Sequence, residues 1–258
     1  MHIYRQLLVL LAFATLLTGC DQQAMFEKLI PKKEAAFARQ IYLQLAAKDY
    51  ASIEKQLDPK AQAPSARAVL EQMAAIFPAE EPKSINTVAS NRSTVNAVTT
   101  YNLKFEYEYS GVWLLADVVL QRSGDQLTIL GLHVNPMKQS LKAVNRFTFE
   151  GKSPVQYIIF VLAVVVPLFI VCVLVLCIRT PIAKRKWLWL VFVAIGFVQL
   201  SVNWTDGSYG IQPLSFALLG AGFFRAGPYA PFILNVAIPI GAIVFLVKRR
   251  SLLAQNAG

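Results

Sequence analysis

Residues 155–178 read VQYIIFVLAVVVPLFIVCVLVLCI, which is 24 residues without a charge. An α-helix needs about 20 apolar residues to cross the hydrocarbon core of a bilayer, so this stretch predicts a membrane span with a kink at Pro167. Two later apolar runs, at about 187–203 and 230–247, predict two more spans. The sequence therefore predicts an all-α, three-helix transmembrane region over residues 151–258.

The connection between the last two predicted spans, residues 204–229, contains an apolar stretch at 214–224 that is too short to cross a bilayer. We expect a periplasmic segment that lies in the membrane interface, re-enters the membrane or forms a plain loop. No Asp, Glu, Lys, Arg or His lies inside the three predicted spans. Ion and proton pathways normally need such groups, so an anchoring bundle is expected in preference to a transporter.

The formal net charge of +10 comes mainly from cations beside the apolar runs. Residues 21–154 hold 16 Lys/Arg and 14 Asp/Glu, whereas basic clusters at 179–186 and 248–250 follow the first and third predicted spans. Basic residues at span ends mark the cytoplasmic side of a membrane. The charge thus indicates topology, with residues 21–154 outside the bacterial inner membrane and a cytoplasmic C-terminus, and it does not favour nucleic-acid binding.

Residues 1–19 have the features of a secretory signal peptide. Arg5 gives a positive start, and the apolar core at 7–17 is too short to span a bilayer. This core ends in Leu17-Thr18-Gly19-Cys20, which resembles the lipobox of bacterial lipoproteins. The resemblance implies a diacylglycerol on the sulfur of Cys20, cleavage before Cys20, acylation of the new amino terminus, with palmitate among the acyl chains, and, through Asp21, retention in the inner membrane. An ordinary signal peptide with a chance cysteine and an uncleaved anchor are the alternatives.

Residues 20–150 are predicted to form a lipid-anchored periplasmic α+β domain. Apolar residues at helical spacing predict helices over 26–47, 50–57 and 66–77. Four strands are predicted over 85–90, 94–109, 112–121 and 126–134, with turn sequences at 91–93, 110–111 and 123–125. Alternation in the second strand separates an aromatic face from a polar one. The expected fold is three helices packed on a four-stranded antiparallel sheet.

Two segments of this domain carry a family resemblance. Residues 47–59, AKDYASIEKQLDP, resemble the short second helix of small secreted members of the nuclear transport factor 2-like (cystatin-like) fold. Residues 127–136, LTILGLHVNP, resemble the closing strand of those proteins. The resemblance implies a curved sheet and a long helix that enclose a cone, which in different members binds a ligand, is catalytic or is packed.

The candidate acid–base residues are His133, Asp117 and Glu106. His133 is the single histidine after the signal peptide, and alternation places it on the same face as Ile129 and Gly131. Asp117 on the neighbouring strand is the nearest acid, and Glu106 completes the cluster. A lone histidine on a strand is more often structural, and no Cys/His spacing predicts a metal site. We therefore expect no metal and no cofactor, and we lean towards a protein that is not an enzyme.

The expected cavity-lining residues are Tyr101, Tyr107, Tyr109 and Trp113, which otherwise belong to the core. The leading hypothesis is a non-catalytic interaction or assembly module, because the domain is held close to the bilayer at both of its ends. Its expected partners are the lipid bilayer and another membrane or periplasmic protein. One alternative is a small-molecule or lipid-binding sensor that uses the cone cavity. A hydrolase or isomerase is a further alternative.

Overall fold

The structure, a computed structural model, describes residues 22–59, 61–62, 64–124, 126–182 and 185–254. The chain divides into two units. Unit 1 extends to Val144 and also includes Gly227–Ala230, whereas unit 2 consists of Asn145–Ala226 and the chain from Pro231 onward. The predicted signal peptide 1–19, the predicted lipidation site Cys20 and the predicted retention residue Asp21 lie outside the described residues.

The described part of unit 1 contains five helices: α1 (Gln22–Leu29), α2 (Lys32–Ala46), α3 (Tyr50–Glu54), α4 (Ala66–Ala74) and α5 (Leu141–Val144). Pro31 precedes α2 as its N-cap with a φ of −70°, because its ring fixes φ and its missing N–H cannot continue α1. The Asp49 carboxylate accepts a hydrogen bond from the Ser52 N–H at 3.3 Å and so caps α3. Helix α2 buries Ala38, Ile41 and Leu45 completely.

The sheet of unit 1 is an antiparallel meander. Its strands are β1 (Ser84–Val95), β2 (Val98–Glu108), β3 (Trp113–Ser123) and β4 (Gln126–Met137), in the order β1-β2-β3-β4. Alternate side chains of β2 and β3 are fully buried, among them Leu103, Phe105 and Leu114. These residues form one apolar core with the buried side of α2. The period-2 pattern of the sequence therefore corresponds to a core face and an outer face.

The first hairpin turn lies at Asn96 and Ala97 and not at the predicted turn 91–93. Both residues have a positive φ, 50° and 62°, as a two-residue type I′ turn requires. The pairing of β1 with β2 continues without a break from Ala89 to Val95. The polar residues 91–93 are therefore strand residues, because cross-strand hydrogen bonds satisfy their backbone groups.

Unit 2 contains a second four-stranded antiparallel sheet. Its described elements are α6 (Pro154–Arg179), α7 (Lys186–Ala194), β5 (Ile195–Asn203), β6 (Tyr209–Leu218), β7 (Ala221–Phe224), β8 (Ile233–Ile238) and α8 (Ile240–Ala254), with the sheet order β6-β5-β8-β7. The predicted all-α, three-helix transmembrane region is therefore wrong, and with it the predicted fold class. The first span, 155–178, is one helix. The ranges 187–203 and 230–247 are each part helix and part strand, and 204–229 holds β6 and β7.

The prediction of helices at 187–203 and 230–247 was wrong because hydropathy alone does not distinguish a helix from a strand. β-Branched residues do not distinguish them either, because the helix α6 is rich in such residues, for example Val164 and Val165; β5 is a strand because it pairs with β6 and β8. Pro239 separates β8 from α8, since a residue without an N–H cannot extend the strand ladder but fits before a helix.

Among the described residues, α6 is the one helix that is long and apolar enough to cross a membrane. It begins with a capping box, in which Ser153 accepts a hydrogen bond from the Gln156 N–H and the Gln156 side chain accepts one from the Ser153 N–H. Its 26 residues rise about 39 Å, which exceeds the roughly 30 Å of a bilayer's hydrocarbon core.

The two segments that combine helix and strand match α6 in length. Helix α7 and strand β5, of nine residues each, have a combined length along the chain of about 43 Å, and β8 with α8 of about 42 Å. Their ends also meet the ends of α6. The Gln156 side chain donates to the Trp204 carbonyl at 2.8 Å, and Arg249 Nε donates to Thr180 Oγ1 at 3.2 Å. Unit 2 thus has three segments of similar length between two common ends.

Gly241 in α8 allows α7 and α8 to approach closely, because a Cβ at this position would overlap the carbonyl of Phe192 in α7. Nothing lies within 4 Å of a Cβ built at Gly222 in β7. We predict that Gly241→Ala destabilises unit 2 by about 1–3 kcal/mol through overpacking, despite the better helix propensity of alanine. The matched change Gly222→Ala should alter stability by less than about 0.5 kcal/mol.

Thermal unfolding of the full chain in detergent, followed by tryptophan fluorescence, measures this difference, since Trp187, Trp189 and Trp204 all lie in unit 2. Equal melting temperatures for the two variants would contradict the close approach of α7 and α8.

Candidate functional site

Lys104, Asp117 and His133 form a row across β2, β3 and β4 on the outer face of the unit 1 sheet. Asp117 is the register partner of both Lys104 and His133. Lys104 Nζ lies 2.5 Å from Asp117 Oδ2, so the carboxylate is paired with a cation. The described residues show no hydrogen bond between Asp117 and the His133 ring. The structure therefore places the predicted acid and histidine side by side without forming an acid–base pair.

His133 lies on the face opposite to the one that the sequence predicted. The register of β3 and β4 shifts between Val119 and Leu120, so Leu130 is an extra residue in β4. Such a bulge reverses the alternation on either side of it. As a result Ile129 is buried in the core and His133 is exposed on the outer face.

Glu106 occupies the same outer face but is only 3% exposed. Its Oε2 accepts a hydrogen bond from the Leu141 N–H at the start of α5. Burial raises the pKa of the Glu106 carboxyl, and the Leu141 hydrogen bond acts in the opposite direction. Glu106 thus connects the sheet to α5, and the three candidate residues do not converge on one point.

The predicted cavity-lining tyrosines pack in the core of unit 1. Tyr101, Tyr107 and Tyr109 are buried, and the Tyr107 ring makes edge contacts with Tyr42 and Phe77 at centroid distances of 5.9 and 6.3 Å. Burial raises the pKa of Tyr107. Its hydroxyl is buried and has no hydrogen-bond partner within the described part of the chain. Trp113 is half-buried at the start of β3, and its role in lining a cavity stays a prediction.

A surface groove of about 490 Å³ lies beside α2 in unit 1, away from the predicted aromatic residues. Its apolar walls include Ile30, Ala36 and Leu43, and Arg39 lies along it. The Arg39 guanidinium donates to Thr87 Oγ1 at 3.3 Å and lies 5.7 Å from the centre of the Phe105 ring. These contacts hold the cation in place, where it can bind an anion or a hydrogen-bond acceptor.

One partly buried ion pair is not visible in the sequence pattern. Arg122 on β3 lies 2.7 Å from the carboxylate of Glu34 in the first turn of α2, and Glu34 is buried. Burial and a hydrogen bond to Glu34 raise the pKa of Tyr101. The position of Glu34 soon after Pro31 could have indicated a residue in the first turn of a helix, where acidic side chains are favoured. Its partner on β3 is 88 positions away in the chain, and the sequence pattern does not predict such a distant pairing.

No protein-family model, curated protein or solved structure matches the chain. The resemblances to the lipobox and to the nuclear transport factor 2-like fold therefore stay predictions. No cluster of three or more metal-ligating side chains occurs in the ranges that the structure describes.

Unit 2 carries most of the exposed apolar surface. Of the 32 large apolar side chains that are exposed in the described ranges, 28 belong to unit 2. More than half of them lie along α6, as at Val161 and Val165, and along the edge strand β6, where Leu214 is 96% exposed. Exposed apolar patches of this extent are typical of surfaces that contact a membrane or another protein.

The end of unit 2 at the start of α6 is aromatic and polar. Trp204 stacks on Phe147 at a centroid distance of 5.1 Å, and its indole N–H donates to the Thr148 carbonyl at 2.8 Å. Lys152 Nζ lies 5.9 Å from the centre of the Trp204 ring. Asp206, in the turn after Trp204, accepts hydrogen bonds from Ser208 that lower its pKa. Rings with polar edges are common where a protein meets a membrane–water interface.

The opposite end of unit 2 is cationic. Six basic residues of the described ranges lie near the helix ends there: Arg179, Arg185, Lys186, Lys248, Arg249 and Arg250. Lys186 Nζ donates to the Ile178 carbonyl at 2.6 Å, and Arg249 reaches Thr180, so the ends of α6, α7 and α8 meet. Asp206 is the one acidic residue in the sequence between 154 and 254, and it lies at the Trp204 end.

We predict that Glu106→Gln stabilises unit 1 and that the gain grows as the pH rises above 4.5. Burial raises the folded-state pKa of Glu106 above its usual value of 4.5, so the stability linked to this group is present below that value and is lost as the pH rises through the raised pKa. Glutamine still accepts the Leu141 N–H bond but does not ionise.

Hydrogen exchange of the β2 amides in the full chain, corrected for the intrinsic effect of pH, measures this gain. The control Glu71→Gln, on the exposed side of α4, should show no such dependence. A gain for Glu106→Gln that is constant with pH would refute the burial effect.

Proposed function

We propose that the chain is an inner-membrane protein in which unit 2 is embedded in the bilayer and unit 1 is presented in the periplasm as a non-catalytic interaction or assembly module. The observation that carries this proposal is the surface of unit 2. Exposed aliphatic side chains follow α6 for the length of a bilayer core, between an aromatic end and a cationic end.

The charge distribution supports one orientation. The cationic end at Arg179 and Arg249 belongs in the cytoplasm by the positive-inside rule. The Trp204 end, to which Gln156 is bonded, then faces the periplasm, as does the chain that leads into α6. This orientation agrees with lipidation at Cys20, which also requires a periplasmic N-terminus. The acyl chains and α6 would hold unit 1 at both of its ends near the membrane.

The second sheet supports an assembly over an isolated chain. Gly220, between β6 and β7, lies against Val166 and Ile170 near the middle of α6, so embedding α6 brings the sheet to membrane depth. Hydrocarbon cannot hydrogen-bond to the outward backbone groups of the edge strands β6 and β7. Protein that covers these edges would remove that cost, which favours a protein partner at membrane depth.

Polar side chains of this sheet form hydrogen bonds with one another. Ser201 Oγ donates to Asn235 Oδ1 at 2.8 Å, and Ser215 Oγ donates to Gln199 Oε1 at 3.1 Å. Paired polar groups are much less costly in an apolar medium than unpaired ones. The polar residues of β5, β6 and β8 are therefore compatible with a position inside the bilayer.

The alternatives have less support. A sensor that uses the cone requires a cavity at Tyr107, and that ring packs against Tyr42 and Phe77. A hydrolase or isomerase requires an acid–base pair, and Asp117 is paired with Lys104. Both alternatives rest on side chains that already have structural contacts.

The first test concerns the topology of the chain. We expect alkaline phosphatase to be active when it is fused after residue 150 or 206 and inactive when it is fused after residue 182 or 254, with the opposite result for a fluorescent protein that folds only in the cytoplasm. The full chain should stay in the membrane pellet at high salt and at alkaline pH. Release by a salt wash, or active phosphatase after residue 182, would rule out the embedded α6.

The variant Cys20→Ser is the matched control for the acyl anchor. It should lose incorporation of radiolabelled palmitate but remain in the pellet, because α6 still holds it.

The second test concerns the role of unit 1. Chemical cross-linking followed by purification in mild detergent should recover a partner with the full chain. A chain that lacks residues 25–144 but keeps Cys20 and unit 2 should lose the partner that binds unit 1, and should keep any partner that covers the edges of β6 and β7. Recovery of the same proteins by both chains, or of the full chain alone, would contradict the proposed role of unit 1.

A further inference from the structure

We propose that unit 2 binds an anionic phospholipid in a groove on α7 at its cationic end, an inference that rests on the proposed membrane embedding. Arg185, Leu188, Trp189 and Phe192 line this groove, which has a volume of about 380 Å³. Three of these four side chains are apolar, and the cation is at the end of the groove where α7 begins. The groove is therefore amphipathic along its length.

The walls of the groove are held by aromatic packing. The Trp189 ring lies 5.8 Å from Phe245 in α8 and 6.2 Å from Phe192, centroid to centroid. Helix α8 also packs closely against α7 where Gly241 meets the Phe192 carbonyl. Leu188 is 41% exposed and forms an open part of the wall. A ligand can therefore enter from the surface without displacement of the core.

Arg185 is free to bind an external anion. It is exposed, and the described residues supply no carboxylate at this end of unit 2. Lys186 and Arg249 are bonded to the chain itself, through the Ile178 carbonyl and Thr180 Oγ1. A guanidinium binds a phosphate through two parallel hydrogen bonds, which makes Arg185 suited to a phosphodiester.

The charges at this end select the class of lipid. A zwitterionic headgroup carries an ammonium group that needs an anionic partner, and the cationic end described above offers six cations. An anionic headgroup leaves no such charge unpaired. The phosphate then lies at Arg185, and one acyl chain lies along Leu188 and Phe192. Free phosphate uses the cation alone and makes no contact with the apolar wall.

Native mass spectrometry of the full chain in neutral detergent tests this site. The probes are phosphatidylglycerol and phosphatidylcholine with identical acyl chains, and inorganic phosphate. We expect the phosphatidylglycerol adduct to exceed the phosphatidylcholine adduct by about fivefold or more, since each cation near a headgroup contributes about that factor. Arg185→Gln should remove most of this preference. Arg146→Gln, which removes another exposed arginine near the Trp204 end, should keep it.

A second variant covers the case in which Arg185→Gln disturbs the start of α7, where Arg185 has a φ of 55°. Leu188→Gln should weaken the phosphatidylglycerol adduct severalfold and leave binding of inorganic phosphate unchanged, because it alters only the apolar wall. Equal retention of the two lipids, equal losses in Arg185→Gln and Arg146→Gln, or full competition by inorganic phosphate would each overturn the lipid site.

The failures of the two proposals are distinguishable. A chain that is embedded by the fusion and extraction tests but lacks a preference for phosphatidylglycerol contradicts only the lipid site. A chain that is released by salt contradicts the embedding, whatever lipid it retains in detergent.

Discussion

The apolar helix α6 sets the geometry of unit 2. A helix bonds its own backbone groups, so a 26-residue apolar helix needs no polar partner along its sides. The other two segments match its length by combining nine residues of helix with nine of strand, or six of strand with fifteen of helix. Hydrogen bonds to Trp204 and Thr180 connect these segments to the two ends of α6. This common length separates the aromatic end of unit 2 from its cationic end.

The two units differ in where their apolar side chains lie. In unit 1 the apolar side chains of α2 and of the meander are buried together, and few remain on the surface. In unit 2 the apolar side chains of α6 and β6 face outward, so its surface is suited to lipid or to another protein. The open edges of the second sheet add a requirement for protein contacts if unit 2 lies in a membrane. The outer surface of unit 2, with its apolar side chains and open strand edges, thus links membrane anchoring to assembly with another protein.

Local pattern predicted part of this structure and failed where the outcome depended on pairing. Alternation in β2 gives the buried face of the meander, because period 2 follows directly from strand geometry. The bulge at Leu130 is not visible in that pattern, and it moved His133 to the outer face. The hydropathy of 187–203 and 230–247 indicated apolar surroundings but not the strand conformation of β5 and β8, which depends on the partners they find. The Glu34–Arg122 pair was missed for the same reason.

The position of Cys172 allows the most direct measurement of the embedding of α6. Its side chain is exposed on the protein surface near the middle of the second half of the helix. In a chain with Cys20→Ser and Cys177→Ala, a charged, water-soluble maleimide should not label Cys172 in membranes opened to both sides, but should label it fully after denaturation in detergent. A cysteine placed at Val95, exposed in the first hairpin of unit 1, should react at once in the same membranes. Labelling of Cys172 as fast as that control would show that α6 lies in water, and would contradict the account.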